Sequence, residues 1–352
     1  MKIKMNLLKS SAILAAGTML MTIGLAPLAA EEQIRGAGAT FPAPIYVKWF
    51  ANFQKATGTS VDYQSIGSGP GYNAIKNKTV DFGASDAPLS AAEEAAMPGG
   101  VVHIPTVGGA VVLTYNLPGV GSGLRFTPQI IAGIFLGKVK NWNDPLIKAA
   151  NAGKTLPDTA IQPVHRTDSS GTTYIFTNYL KKADSEWAGG PGAGKSVNWP
   201  VGLGGKGNAG VSAVVKRTPG SFAYVELAYA IENKLPFGSV RNRSGNYVTP
   251  SSESTSEAIN QYVSELRRNI KTPTVDAKGV NSYPICSLTY ILIYKDGSGK
   301  AALTTKLWSW IMKPEQQGMA KSLYYAPLPA SLVQLNLQTL KSIHGAQVSS
   351  AK

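Results

Sequence analysis

Two runs of the sequence are apolar at nearly every position rather than at every second one: the stretch around GGAVVLTY, near residues 107–115, and SYPICSLTYILIY, with its strand centred on 285–294. A strand whose side chains are apolar on both faces has to be covered on both faces. Such strands belong in the middle of a sheet with helices packed above and below it, so they point to an α/β fold. Elsewhere short β-rich runs alternate with helical ones, which is the pattern of that class. The two long strands bracket the middle third of the chain. They let the chain cross from one lobe to another and return, and the expected architecture is a two-lobed α/β protein with a cleft between the lobes. A length of 352 residues is enough for about two domains.

Along the chain, Glu32 to Ile34 reads as strand and Phe41 to Thr57 as helix; Val61 to Gln64 is strand, Tyr72 to Lys78 helix and Val80 to Gly83 strand. Ser90 and Glu93 have capping-box spacing and open a further helix. Beyond Tyr115, helices are expected over Thr127–Phe135, Thr172–Lys181, Asn208–Lys216 and Glu257–Asn269, with strands over Ile161–His165 and Phe222–Val225. Further helices are expected over Ala301–Met312 and around Pro314–Ser322. DSEWAGGPGAGKS and RNRSGNYVTPSSES read as loops. The first thirty residues have the form of a cleavable secretory signal: a basic MKIKMNLLK, an apolar run to Leu25, and small residues ending at Ala30. No other stretch approaches the roughly 20 apolar residues that span a bilayer. The one cysteine, Cys286, excludes an internal disulfide, sits in an apolar run as a small hydrophobe, and is not at the cleavage junction, so no lipid anchor is expected. Three lysines lie in the signal region, which leaves +11 of the formal +14 on the remainder and favours acidic ligands or surfaces.

Candidate binding residues cluster where strands hand over to helices. GAGATFPAPIYVKWF places Thr40 to cap a helix, with Pro42 in its first turn; GSGPGYNAIK places Ser68 before another; and HRTDSSGTTYIF does the same with Ser170, Gly171 and Thr172. Each start offers free N–H groups, a small residue and a hydroxyl at the positive end of a helix. With Arg166 four residues before Ser170, the three starts are suited to one tetrahedral anion. Competing chemistries lack their residues. His103, His165 and His344 have no metal-ligand spacing. GSGPG and DSSGT are neither a nucleophile elbow nor a GxxxxGK[ST] phosphate loop. LGGKGNAG is Gly-rich enough to touch a phosphate but reads better as a flexible turn before a helix, and the dispersed basic charge lacks the aromatic interleaving of a nucleic-acid surface.

GAGATFPAPIYVKW, VDYQSIGSG, TVDFGASDAPLS, PTVGGAVVLTYNLPG, IFLGKVKNWND, RTDSSGTTYIFTNYL, NWPVGLGGKGN and PGSFAYVELAYA, with YPICSLTYILIYKD further on, together closely resemble the periplasmic phosphate-binding proteins of the Pst ABC transporter, the PstS family. The resemblance runs from about residue 35 to 230 and resumes near 283; the final forty residues match more loosely. It implies a type II periplasmic binding protein whose lobes are joined by hinge strands and close over one phosphate. It also implies a signal peptide at 1–30, lobe I from 31–112 and 284–352, and lobe II from 113–283. The implied phosphate ligands are Ala39, Thr40 and Phe41 at the first helix start, Ser68 at the second, Asp86 in GASDAP, and Arg166, Ser170, Gly171 and Thr172. Asp168 is implied as the partner of Arg166. The motif departs from the family pattern after Ser68, where Gly69-Pro70-Gly71 follows, and at Ser169, often glycine in relatives.

The expectation is therefore a non-enzymatic protein of the periplasm, without cofactor or metal. It binds inorganic phosphate with high affinity, and arsenate as its mimic, and delivers phosphate to the membrane subunits of a Pst ABC permease. A phosphate-ester hydrolase is the rival from another class, but no base stands beside a serine: on a strand through His165 and Arg166 the two side chains point oppositely. A surface adhesin on the same fold is a third reading.

Overall fold

The structure, a computed structural model, describes residues 33–97, 99–298 and 300–343. The expected signal segment and residues 344–352, with His344, lie outside the described residues. Among the described residues eleven strands form, in the order β1 Gln33–Gly38, β2 Ser60–Ser65, β3 Phe82–Ser85, β4 Val101–Asn116, β5 Arg125–Phe126, β6 Gln162–Arg166, β7 Leu203–Gly205, β8 Ser221–Glu226, β9 Ser239–Arg241, β10 Tyr247–Val248 and β11 Cys286–Tyr294. Eight of them make one sheet, ordered β2-β1-β3-β11-β4-β8-β6-β7.

The long apolar strands stand at the centre, as their patterning requires. Every residue of β11 is buried, and β4 is buried over nearly all its length. β4 runs through both halves of the sheet. Its first part, Val101 to Ala110, pairs antiparallel with β11, and its second part, Val111 to Asn116, pairs antiparallel with β8. Where it changes partner, the Val111 N–H donates to the Ile285 carbonyl at 2.8 Å, so the outgoing and returning chains are bonded at the crossing. On one side β1 is parallel to β2 and β3; on the other β6 is parallel to β7 and β8. Parallel neighbours need crossover connections, and helices supply them.

Aromatic side chains pack on both halves of the sheet, within one continuous hydrophobic core. The helix Ala43–Thr57 buries Ile45, Tyr46, Trp49, Phe50 and Phe53, an apolar stripe at helical spacing, and ends on Gly58 in the left-handed region at φ 77°. Phe50 meets Phe82 at 6.1 Å and Phe82 meets Trp308 at 5.2 Å. In the other half Phe176 stacks on Tyr224 at 4.3 Å, and Phe135 meets Phe176 at 5.2 Å. Cys286 is buried, with its thiol pushed up to about 12 by burial, so it is held as a thiol in the core. No helix among the described residues is long and apolar enough to cross a membrane.

Several local expectations need correction. RNRSGNYVTPSSES is not only loop: it starts on the last residue of β9 and contains β10, the two pair as a hairpin, and β9 also pairs with β5 in a small three-stranded sheet. DSEWAGGPGAGKS opens with the helical turn Ser185–Gly189, anchored by buried Trp187. The helix expected over Glu257–Asn269 is two, Ser252–Asn260 and Val263–Arg268. No proline or glycine marks that break; Tyr262 sits in it with its hydroxyl tied to Lys182 and Val275, so tertiary bonds override local propensity. The helix Ala330–Lys341 had no counterpart in the sequence reading.

Candidate functional site

The carboxyl ends of parallel strands from both halves of the sheet come together at one cluster, the usual ligand position in open α/β sheets. Five chain segments meet there: Thr40 after β1, Ser68 opening the helix Ser68–Lys76, Asp86 after β3, Arg166 ending β6, and Ser170 to Thr172 opening the helix Gly171–Ala183. Thr40, Ser68, Asp86, Arg166, Ser170 and Thr172 are all buried.

The three helix starts differ from one another. Only Ser170 is a side-chain cap, accepting from the Thr173 N–H at 3.1 Å. Thr40 does not cap: Pro42 is the N-cap of Ala43–Thr57, and no side chain caps that helix. Ser68 lies inside the first turn of its helix, behind Gly67 at φ 105°. A side chain at 67 would be strained there, and its Cβ would fall 2.5 Å from the Asp168 carboxylate.

The hydroxyls of the cluster share one property. A hydroxyl oxygen accepts up to two hydrogen bonds and donates one. Thr40 Oγ1 accepts from the Asn208 backbone N–H at 3.3 Å and from Asn208 Nδ2 at 2.9 Å. Thr172 Oγ1 accepts from Asn208 Nδ2 at 3.1 Å and from Arg166 Nη1 at 3.2 Å. Ser68 Oγ accepts from the N–H groups of Asp86 at 3.3 Å and Gly171 at 3.1 Å. In all three the accepting capacity is filled by fixed N–H donors, and each hydroxyl has only its proton to offer. The backbone N–H groups of Thr40, Phe41, Ser68 and Thr172 have no partner among the described residues. Ala39 differs: its N–H is spent on the Ala84 carbonyl at 2.9 Å, so it holds the loop and does not donate into the cluster. Phe41 is placed by Tyr325, whose hydroxyl donates to the Phe41 carbonyl at 2.7 Å.

Arg166 is the one cation among these groups, and Asp168 holds it by two hydrogen bonds, Nε to Oδ1 at 2.8 Å and Nη2 to Oδ2 at 2.5 Å. Asp168 Oδ1 also accepts from the Gly207 N–H at 2.9 Å. Burial would raise the Asp168 pKa, but the Arg166 bonds and charge outweigh it and hold the carboxyl below its ordinary value. The paired guanidinium is thus fixed in place and largely neutralised. Asp86 is the reverse case. Burial drives its carboxyl up to about 7, against the lowering effect of the Thr289 hydroxyl, which donates to Oδ1 at 2.7 Å, and of Arg166. Gly171 makes room for it: a Cβ there would meet Asp86 Oδ2 at 2.4 Å and Ser68 Oγ at 2.6 Å. Gly69 touches across the same line, its N–H donating to the Ser169 carbonyl at 2.9 Å, so both departures from the family pattern meet each other. His165 turns away and stacks on Trp199 at 4.9 Å, which leaves no imidazole beside Ser170.

Asn208, Thr289 and Gly207 were not singled out from the sequence. LGGKGNAG, read as a flexible turn before a helix, has strand β7 where the turn was expected; the expected helix follows as Gly207–Arg217, and the stretch carries two of these three. A cavity of about 370 Å³, lined by Thr40, Ile66, Lys206, Gly207 and Tyr229 among others, adjoins the cluster. Another, of about 420 Å³ beside Lys182, Arg241, Arg243 and Asp276, shares none of its residues. The arrangement is an anion site: one-way donors from both halves, one tethered cation and one buried acceptor.

Comparison with known proteins gives the same direction. The PBP superfamily domain matches residues 26–315. A phosphate-binding protein PstS of Pasteurella multocida is 43 % identical over 306 residues, covering 86 % of this chain and 88 % of that one. The phosphate-binding protein PstS of Haemophilus influenzae is 41 % identical, covering 92 % of this chain and 95 % of its own. In structure the chain is similar to PfluDING, a high affinity periplasmic phosphate-binding protein solved with phosphate bound, at a TM-score of 0.70 and 20 % identity, covering 90 % of this chain and all of the other. A shared fold of that kind and relatives matched over most of both sequences establish that this chain belongs to the PstS family of phosphate-binding proteins.

Proposed function

We propose that this protein binds inorganic phosphate with high affinity in the cluster between its two halves, and delivers it from the periplasm to the membrane subunits of an ABC importer. It is a binding protein and not an enzyme, as are the relatives it matches. The ligands are Thr40, Phe41, Ser68, Asp86, Arg166, Ser170 and Thr172, with Ala39 shaping the first loop, Asp168 supporting Arg166, and Gly171, whose N–H goes to Ser68 Oγ at 3.1 Å, fixing that hydroxyl. Lobe I comprises the segments up to about residue 112 and from about 284, and lobe II the segment between; β4 and the chain entering β11 are the hinge.

The observation that carries the reading is the polarity of the cluster. Donors whose accepting capacity is already filled favour bare anion oxygens, and Arg166 adds charge-assisted bonds of roughly twice neutral strength. A single acceptor, Asp86, has a place in such a site only if the ligand brings one proton. Phosphate near neutral pH carries one or two and sulfate carries none. A buried acceptor left facing a bare oxygen discriminates steeply, by as much as roughly 10⁴ to 10⁵ in sites built to bond a ligand hydroxyl. Arsenate has the same shape and protonation as phosphate and is expected to compete for the site.

Calorimetric titration of phosphate-stripped protein with phosphate, arsenate and sulfate tests this. Phosphate and arsenate are expected to bind and sulfate is not. Comparable uptake of sulfate, or no uptake of phosphate, overturns the reading.

A further inference from the structure

We propose that Asn208 is a specificity-determining positioning residue: its side-chain amide turns the Thr40 and Thr172 hydroxyls into one-way donors, so that the site prefers the less protonated form of its ligand. The inference rests on the phosphate reading above and assigns a role to a residue outside the set that the family resemblance supplies.

Asn208 is the second residue of the helix Gly207–Arg217, in its first turn, and is fully buried. Its orientation is not free. Oδ1 accepts from the Glu226 backbone N–H at 3.0 Å, and only a carbonyl oxygen can take that bond. The other end of the amide is therefore the NH₂ group, and its two hydrogens go to Thr40 Oγ1 and Thr172 Oγ1. Thr40 follows β1 in one half of the sheet and Thr172 follows β6 in the other. One amide thus sets the direction of two hydroxyls on opposite sides of the cluster, and the second acceptor position of each is taken by the Asn208 N–H and by Arg166 Nη1 respectively.

The consequence is selective. A ligand oxygen that carries a proton finds no acceptor at Thr40 or Thr172. Asp86 can accept one such proton; a second has no partner in the native arrangement. Without the amide, either hydroxyl can rotate to accept, and the doubly protonated monoanion is penalised less. A residue that merely filled space would change affinity equally for both protonation states.

The test compares phosphate titrations of wild type, Asn208→Ala and Asn208→Asp on either side of the second ionisation of phosphate, with thermal melts as a folding control. Arg166, Asp168, Asp86, Glu226 and Tyr229, the titratable groups around the amide, are common to all three proteins, so the ratio of variant to wild-type affinity isolates Asn208. For Asn208→Ala the loss above that ionisation is expected to be about tenfold to a hundredfold, the worth of two buried hydrogen bonds. It should shrink toward lower pH. Asn208→Asp should lose more than Asn208→Ala despite its native shape, because a carboxylate accepts the very protons the ligand needs. If Asn208→Asp does not fold, Asn208→Ser, which retains one donor, should fall between wild type and Asn208→Ala. A loss independent of pH, or Asn208→Asp binding better than Asn208→Ala, overturns the assignment while leaving phosphate binding intact. A wild type that takes up no phosphate overturns the functional reading itself, and this inference with it.

Discussion

Asp86 is the residue in the cluster that burial works against. Its folded pKa, about 7, lies above its ordinary value, with burial as the main cause. The sign follows from linkage: a group whose pKa is raised on folding lends its full contribution below the ordinary carboxylate range and loses it as pH rises through about 7. At about 1.4 kcal/mol per pH unit, the loss amounts to a few kcal/mol. In phosphate-free buffer, the melting temperature of wild type should therefore fall relative to Asp86→Asn as pH is raised from the acid side to above neutrality. Asp86→Asn should keep the Thr289 bond through its carbonyl oxygen, and it should narrow the gap between phosphate and sulfate affinity, because an amide can also donate. Parallel melting curves for the two proteins across that range would show that Asp86 carries no buried charge, and the proton-reading role would go with it.

At the scale of elements, the site depends on how closely one helix start approaches the opposite strand end. Gly171 is the first residue of Gly171–Ala183, where alanine is conformationally at least as good as glycine. Its methyl group, however, would sit 2.4 Å from Asp86 Oδ2 and 2.6 Å from Ser68 Oγ. Because that methyl would also fall 2.5 Å from the Asp86 Cβ, Gly171→Ala should destabilise the fold by about 1–3 kcal/mol and weaken phosphate binding at least tenfold, as read by titration of the folded protein. Unchanged affinity would mean that the two halves need not meet at this point. The same contacts explain what was legible in the sequence. The central strands β4 and β11 were, because a continuous apolar run admits few alternatives. So was the Ser170 cap, whose partner is only three residues away. The ligand set came from motif resemblance, and the structure brings its members together with Ala39 in a supporting place. Thr40 was misread as a cap, because its hydroxyl is claimed by Asn208, which lies 168 positions along the chain. Asn208, Thr289 and the break at Tyr262 owe their roles to partners remote in sequence, and no local pattern encodes such pairings.

At the scale of the whole molecule, the halves are also joined outside the anion site. The short helix Ala91–Ala95 carries Glu93 and Glu94. Glu93 pairs with Lys195, and both Glu94 oxygens accept from Lys271 at 3.0 Å. His103 backs Glu94 at 3.6 Å, with its pKa pushed down to about 4, chiefly by burial, so it stands neutral behind the pair. Lys195 also reaches the anion cluster: its carbonyl accepts from the Ser170 N–H at 2.8 Å, at the start of the helix Gly171–Ala183, while its ammonium lies 5.6 Å from the Tyr72 ring. In the lobe assignment proposed above, both ion pairs run from lobe I to lobe II and are expected to break when the cleft opens. Partly exposed pairs contribute about 0.2–1 kcal/mol each, and salt screens them. A hinge equilibrium is sensitive to such amounts, since ligand affinity scales with the population of the closed state. Small-angle scattering of wild type should show a smaller radius of gyration with phosphate than without. In Lys195→Met/Lys271→Met, phosphate should dissociate faster, by about two- to tenfold at low salt, with little change in association rate. The rate distinguishes a latch from long-range attraction by the positive surface, which acts on association. The difference between variant and wild type should fade as ionic strength rises. Equal dissociation rates at low salt would show that the two pairs do not hold the cleft, and closure would then rest on the anion site and the hinge strands alone.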